Sequence, residues 1–305
     1  MDATAPRHRP LLALIIRLGA IGALATMSAL IKLASQRGIH LLEIMFWRQA
    51  ITIPIALAWV MATGGIGMLA TKRPGTHLIR GLYGTIGMVL NFGAVILLPL
   101  AEATTMSFTA PIWAVILSTL LLKEKVGIWR WSAVALGFVG VLVIAQPGGG
   151  HIALFGALVG IGGAFMVALI SIQIADLNRT DQPLTIVFYF ALFSAPLTAI
   201  ALPFVATTHD WHGWLLLLGI GLAGSAGQLL LTAALRFGKV ASVIVMDYSA
   251  LFWATLYGSL LFGVLPPAST WLGVPLIVAA GLVIAWREHR LTRPTDRDVA
   301  RAEGT

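Results

Sequence analysis

The sequence predicts an all-α integral membrane protein whose ten transmembrane helices form two inverted five-helix repeats. Three observations carry that prediction. Of 305 residues, 58% are apolar and only 10% are charged, where an ordinary soluble domain has roughly a quarter of its residues charged. Ten apolar runs approach the roughly 20 residues that a helix needs to cross a bilayer. The chain also matches itself, without gaps, at a shift of 140 residues.

The runs lie at about 10–35, 41–63, 78–98, 102–122, 129–146, 152–175, 183–206, 212–236, 240–262 and 268–286. The polar segment before the first holds Arg7, His8 and Arg9, and no small-residue cleavage site follows that run. It therefore reads as a retained helix and not a signal peptide. The separators are turn-formers and charges: Thr63-Gly-Gly, Lys72-Arg-Pro-Gly75, Lys123-Glu-Lys125, Pro147-Gly-Gly-Gly150, Asn178 to Pro183, and Pro266-Pro267. Pro54, Pro111, Pro196 and Pro275 fall inside runs, where each removes a ladder hydrogen bond and is expected to kink its helix.

Positive charge sets the orientation. With the N-terminus cytoplasmic, every one of the 20 Lys and Arg residues except Lys32, Arg37 and Arg48 falls on the cytoplasmic side, which is 20 − 3 = 17. Both termini are then cytoplasmic in a bacterial-type inner membrane. The net charge of +8 is accounted for by this placement, and no nucleic-acid partner is implied. With no Cys in the chain, disulfides, thiolate metal sites and Cys nucleophiles are excluded.

The shift of 140 pairs Gly81, Gly84 and Gly87 with Gly221, Gly224 and Gly227. It also pairs Trp113 with Trp253, Trp131 with Trp271, Gly22 with Gly162, and Leu142-Val-Ile-Ala145 with Leu282-Val-Ile-Ala285. The predicted organisation is a cytoplasmic tail at 1–10, a first repeat at 11–150, a second at 151–290 and a tail at 291–305. Five helices is an odd number, so the second copy enters the membrane from the opposite side. Such inverted pairs are the usual scaffold for alternating access.

Lys32 closing the first helix, Glu43 before Phe46-Trp47-Arg48, Pro111 in the fourth and Leu121-Leu-Lys-Glu124 at its end resemble the drug/metabolite transporter superfamily, in its EamA-type branch. The resemblance spans the chain apart from its tails, and the aromatic content is compatible with the branch's aromatic amino-acid exporters. It implies a carrier of small organic solutes, commonly an exporter of amino acids or other metabolites, with no ATPase domain and no cofactor. The second repeat departs from the pattern, with Val264 matching Glu124 and Tyr248 near a position where proline is often found.

Ionisable side chains are rare inside hydrocarbon, so each one is a site candidate. Arg48, about seven residues into the second helix, has the fork geometry that binds a carboxylate; the alternative is a structural Arg paired with Glu43 or snorkelling outward. Asp247, similarly deep in the ninth helix, suits a substrate ammonium group or a coupling proton; the alternative is pairing with Lys239 or Arg236, or a hydrogen bond to its neighbours. Asn91 and Gln228 need partners in lipid, and together with Arg48 and Asp247 they make two polar layers flanking one cavity. Hydroxyls such as Thr26, Ser28, Ser107, Thr109 and Ser171 are expected to bond back to their own helices. Tyr83, Trp113, Tyr248 and Trp253 are candidates for an aromatic wall, with helix packing as the competing role.

The function expected is therefore a secondary carrier that exports small metabolites, most of all amino acids, in contact with membrane lipids, as a monomer or as a homodimer through Gly156-x-x-x-Gly160. A lipid-headgroup flippase or a carrier of another metabolite class shares the scaffold. An intramembrane enzyme is disfavoured, because every His lies at a helix end or in a tail and no HExxH motif or paired intramembrane Asp is present. The inversion has a direct check: in this Cys-free chain, single cysteines introduced at the starts of the first and sixth helices should react with an impermeant thiol reagent from opposite sides. Labelling of both from one side would overturn it.

Overall fold

The computed structural model describes residues 10–121, 128–145, 153–177, 179–237 and 245–291. Lys123, Glu124, Lys125, Asn178, Lys239, the Pro147–Gly150 turn, and the basic residues of the two tails before residue 10 and after residue 291 lie outside the described residues. Twelve helices are described: α1 (Pro10–Gln36), α2 (Leu41–Thr63), α3 (Pro74–Leu97), α4 (Leu100–Ser107), α5 (Ala110–Leu121), α6 (Ile128–Ala145), α7 (Leu154–Leu177), α8 (Pro183–Ala199), α9 (Leu202–Val205), α10 (Trp211–Phe237), α11 (Ser249–Phe262) and α12 (Ala268–Leu291), with 3₁₀ turns at Ile66–Leu69 and Val245–Tyr248. No strand occurs among the described residues.

Helices occupy all ten predicted apolar runs. Among the described residues six segments are long and apolar enough to cross a membrane, with Leu100–Leu117 counted as one span, and apolar stretches of 10–17 residues lie in four more helices. Two runs are interrupted, each next to a proline. Pro111 has no N–H to offer the carbonyl of Ser107 and its ring crowds that position, so the chain passes through tight turns from Thr109 to Met106 and from Ile112 to Thr109 before α5 begins. The predicted kink at Pro111 is thus a break, with Pro111 in the first turn of α5. Pro203 similarly has no N–H for the carbonyl of Ala199, where α8 ends. Pro54, Pro196 and Pro275 lie within α2, α8 and α12.

Local sequence explains the ends. Gly38, at φ 83°, takes the left-handed conformation that closes α1, and the amide of Ile39 returns to the carbonyl of Ala34. Asp210 caps α10 by accepting from the Gly213 amide at 2.8 Å. That amide, with His212 and Arg37 beside it, holds the Asp210 carboxyl below the ordinary carboxylate range.

Packing is pairwise. α1 lies along α10, α3 along α7, α2 along α8 and α6 along α12; α2 also meets α10, α3 meets α8, α1 meets α11, and α4 and α5 meet α7. The glycine triplets lie in these seams. A Cβ on Gly221 would strike Ile51 of α2, and those on Gly224 and Gly227 would strike Met27 and Leu24 of α1. Gly81 and Gly84 face Phe193 and Phe190 of α8 in the same way, and Gly87 faces Ile170 of α7. Gly156 and Gly160, the candidate dimer motif, face Leu98 and Met106 of their own chain, so this face is occupied within the molecule. Large apolar side chains including Leu82, Ile86, Leu218, Leu222 and the repeated pair Trp131 and Trp271 point outward, as expected of helices solvated by lipid.

Backbone meets backbone where α6 crosses α12. A Cβ on Gly273 would come within 2.7 Å of the Gly140 carbonyl, and one on Gly140 within 2.9 Å of the Gly273 carbonyl. Backbone cannot yield as a flexible side chain can. Gly273→Ala should therefore destabilise the bundle by about 1–3 kcal/mol, the usual range for overpacking, and lower the thermal midpoint in detergent. Gly19→Ala, whose nearest neighbour would stand at 3.8 Å, should leave the midpoint unchanged.

Candidate functional site

One face of α1 is built from small residues. Gly19, Gly22 and Ala23, with Leu18 and Thr26, recur at helical spacing and leave a cavity of about 330 Å³ against Trp253 and Tyr257 of α11. The Trp253 ring lies 3.4 Å from where a Gly22 Cβ would stand, so the missing side chain makes room for the indole. Trp253 and Tyr257, one turn apart, stack at 6.3 Å and 26°. Thr26 bonds back to the Gly22 carbonyl at 2.9 Å and shares a 2.7 Å hydrogen bond with the Tyr257 hydroxyl. The Trp253 Nε1 is buried and has no hydrogen-bond partner among the described residues. The recess thus presents aromatic faces beside small residues, with the Trp253 N–H enclosed at its edge.

An ion pair closes one end of the α1–α11 seam. Arg17 donates from Nε to Asp247 Oδ1 at 2.7 Å and from Nη2 to Oδ2 at 2.6 Å, a bidentate fork with the Arg side chain buried. Asp247 sits in the 3₁₀ turn before α11, and its neighbour Tyr248 packs edge-on to Phe108 at 5.1 Å. The sequence offered Lys239 or Arg236 as partners. The side chains of both lie outside what is described, and the partner found comes from 230 positions away.

Arg48 occupies a separate site. It is 5% exposed, donates to Gln49 Oε1 at 2.7 Å and to the sulfurs of Met27 and Met88 at 3.4 Å, and lies 5.8 Å from the centre of the Phe92 ring. Glu43 pairs with His209 Nε2 at 2.6 Å instead, leaving Arg48 without a carboxylate among the described residues. Arg48 and Asp247 are not brought together: they meet α1 at Met27 and Arg17, ten residues or about 15 Å apart along the axis. Arg80 of α3, also buried, covers the Phe190 ring at 4.4 Å with Nε and Nη1 unpartnered among the described residues. Neither arginine is repeated: 140 positions on stand Phe188 and Ile220.

The other candidates lie in helix seams or stand half-buried. Asn91 bonds to the Gly87 carbonyl at 2.7 Å and the Gly163 carbonyl at 3.3 Å, joining α3 to α7. Trp113 packs edge-on against Phe138 and Phe165, away from the cavity. Tyr83 and Gln228 are half-buried. Ser28, Ser107, Thr109 and Ser171 bond to carbonyls of their own segments. Sequence reasoning passed over Arg17, Arg80 and Glu102. Depth along the helix would have found the first two, since Arg17 lies seven residues inside α1 and Arg80 six inside α3, which starts at Pro74 and not at 78.

Ion pairs join distant helix ends: Arg73 meets Asp176 at 2.5 Å and Arg37 meets Asp210 at 3.4 Å, the latter beside the His209–Glu43 contact. Buried His77 lies 3.7 Å from Asp181.

A chain that turns apolar side chains outward along a set of long helices, and keeps its charges inside or at helix ends, is a multi-pass membrane protein. It belongs to the EamA-like transporter family, which matches residues 11–146 and again 154–286, and it is a small-molecule transporter. It is 30% identical over 298 residues to a riboflavin transporter of Vibrio cholerae, covering 96% of this chain and 99% of that protein. It is also 30% identical over 269 residues to the pseudopaline exporter CntI of Pseudomonas aeruginosa, covering 86% and 91%. A solved crystal structure superposes with a TM-score of 0.63 at 23% identity, over 92% of this chain and 99% of the other.

The Arg17–Asp247 fork should behave as a unit. In a double-mutant cycle of Arg17→Met and Asp247→Asn, read by thermal unfolding in detergent, a coupling of about 1 kcal/mol or more is expected. Additive single effects would mean that the pair contributes nothing.

Proposed function

We propose that this chain is a secondary carrier working by alternating access, and that its substrate is a flat heteroaromatic metabolite of the riboflavin type. The observation that carries the substrate reading is the α1–α11 cavity, where stacked Trp253 and Tyr257 face a wall of small residues and the indole N–H has no partner among the described residues. Aromatic faces with one or two polar groups suit a planar ring system with carbonyl acceptors. The printed function of the Vibrio cholerae relative, matched along nearly its whole length, points the same way.

Helix pairing supports two inverted repeats. Moving each helix by 140 residues sends α1 to α7 and α3 to α10, so the α1–α10 pairing becomes α7–α3. It likewise turns α2–α10 into α8–α3, while α2–α8 and α6–α12 map onto themselves. The double match of the family supports the same division. The ion pairs support the alternation of sides: Arg73 and Asp176 belong to ends assigned to one side of the membrane, Arg37 and Asp210 to ends assigned to the other. In such a pair, exchange of conformations between the halves converts an inward-open carrier to an outward-open one.

A second reading, export of amino acids, is favoured by Arg48, a buried fork with no carboxylate partner among the described residues. The two readings separate in proteoliposomes. Labelled riboflavin should exchange faster than in protein-free vesicles, Trp253→Ala should slow it about tenfold, equivalent to one stacking contact of roughly 1.4 kcal/mol, and Trp113→Ala should leave it within twofold. Absence of riboflavin exchange, or full exchange by Trp253→Ala, overturns the first reading. Amino-acid exchange lost in Arg48→Ala would establish the second.

A further inference from the structure

Glu102 is a buried carboxylate that nothing above employs. It stands in the first turn of α4, 3% exposed, and its Oε2 is buried with no hydrogen-bond partner among the described residues. The neighbouring cation is committed elsewhere. Lys32 reaches from α1 to the end of α3, with Nζ 2.9, 3.3 and 2.5 Å from the carbonyl oxygens of Val95, Ile96 and Leu98. These are carbonyls that a helix end leaves without partners. All three ammonium hydrogens have acceptors, and Lys32 acts on Glu102 through space only.

The elements packed on α4 supply little else. α11 contributes Tyr257 as its only titratable group, and it packs on the cluster of Ala29, Leu100 and Ala254. On α3 the titratable residues His77, Arg80 and Tyr83 lie in the N-terminal half, and on α7 Asp176 lies in the last turn, both away from α4. α12 carries its charges in its last turn, at Arg287, Glu288, His289 and Arg290. A carboxylate that receives no donor in such surroundings is expensive, and adding a proton removes the charge. A cavity of about 260 Å³ lies beside the turn that carries Glu102, lined by Lys32, Gln36, Ala101, Phe262 and Pro266 among others, with Glu102 itself behind this lining.

We propose that Glu102 is a proton-binding site that couples transport to a proton gradient. The proton arrives from water on one side, resides on the Glu102 carboxyl and leaves to water in the opposite conformation, with no other bond made or broken. Lys32 tunes the step, since its charge opposes protonation and favours release. Asp247, the candidate that the sequence suggested for this role, has both oxygens held by Arg17. The proposal rests on the secondary-carrier reading, and its main test needs no substrate.

Infrared difference spectra of the reconstituted full chain, recorded between acid and alkaline pH, should contain the C=O stretch of a protonated carboxyl that is absent from Glu102→Gln. In Lys32→Gln, where the opposing charge is gone, the band should persist to higher pH. In vesicles, an imposed pH gradient should drive uphill riboflavin accumulation by the wild type and by Glu102→Asp. Glu102→Gln should reach only equal concentrations under the same gradient. A carboxyl band unchanged in Glu102→Gln, or gradient-driven accumulation by that variant, overturns the proposal. Should riboflavin fail to move in the wild type, the substrate reading falls alone and the infrared result decides for or against Glu102.

Discussion

Close approach through missing side chains is the constraint on which the arrangement depends. Hydrocarbon supplies no hydrophobic force between apolar helices, so packing has to come from contact surfaces that fit. The triplets Gly81, Gly84, Gly87 and Gly221, Gly224, Gly227 let α3 and α10 sit deep against their neighbours. Gly224 also decides where charge is tolerated. The Arg48 Nε lies 3.2 Å from the position a Cβ would take there, so the glycine that brings α10 to α1 makes the space in which a guanidinium is enclosed.

Enclosed charges are then satisfied in unlike ways. Arg17 finds a carboxylate, Lys32 the carbonyls ending α3, Arg48 an amide oxygen, two thioethers and a ring, and Arg80 the face of Phe190. The three arginines all lie about two turns inside their helices, yet only one is neutralised by a formal opposite charge among the described residues. A paired ion in a low-dielectric setting is largely structural, because removing either partner strands the other. A guanidinium held by sulfur and aromatic faces retains most of its capacity for an incoming anion.

The helices were legible in the sequence because lipid enforces long uninterrupted apolar runs, and the 140-residue shift was legible because glycines and tryptophans at fixed spacing survive where ordinary apolar residues interchange. Arg48 was recognisable as interior from its depth alone. Arg17 was not, since it was counted among the basic residues that orient the first helix, and its partner Asp247 lies 230 positions away, a distance no periodicity reports. Arg80 escaped through a boundary error of one helical turn. Glu102 stood at the predicted edge of a span, and only the packing of α3, α7 and α11 against α4 makes it interior. Pro111 was seen as a kink; that it breaks the helix depends on how the next turn packs.

The duplicated glycines and the unduplicated charges divide the chain's work. If the halves were identical, exchanging their conformations would leave the energy unchanged, and inward- and outward-facing forms would be equally populated. Every position where the halves differ in charge, such as Arg48 against Phe188 or Arg80 against Ile220, lifts that degeneracy by its difference in solvation between the two forms. In the carrier proposed above, the scaffold would set which motion is available, and a handful of unmatched ionic side chains would set the direction in which the empty protein rests.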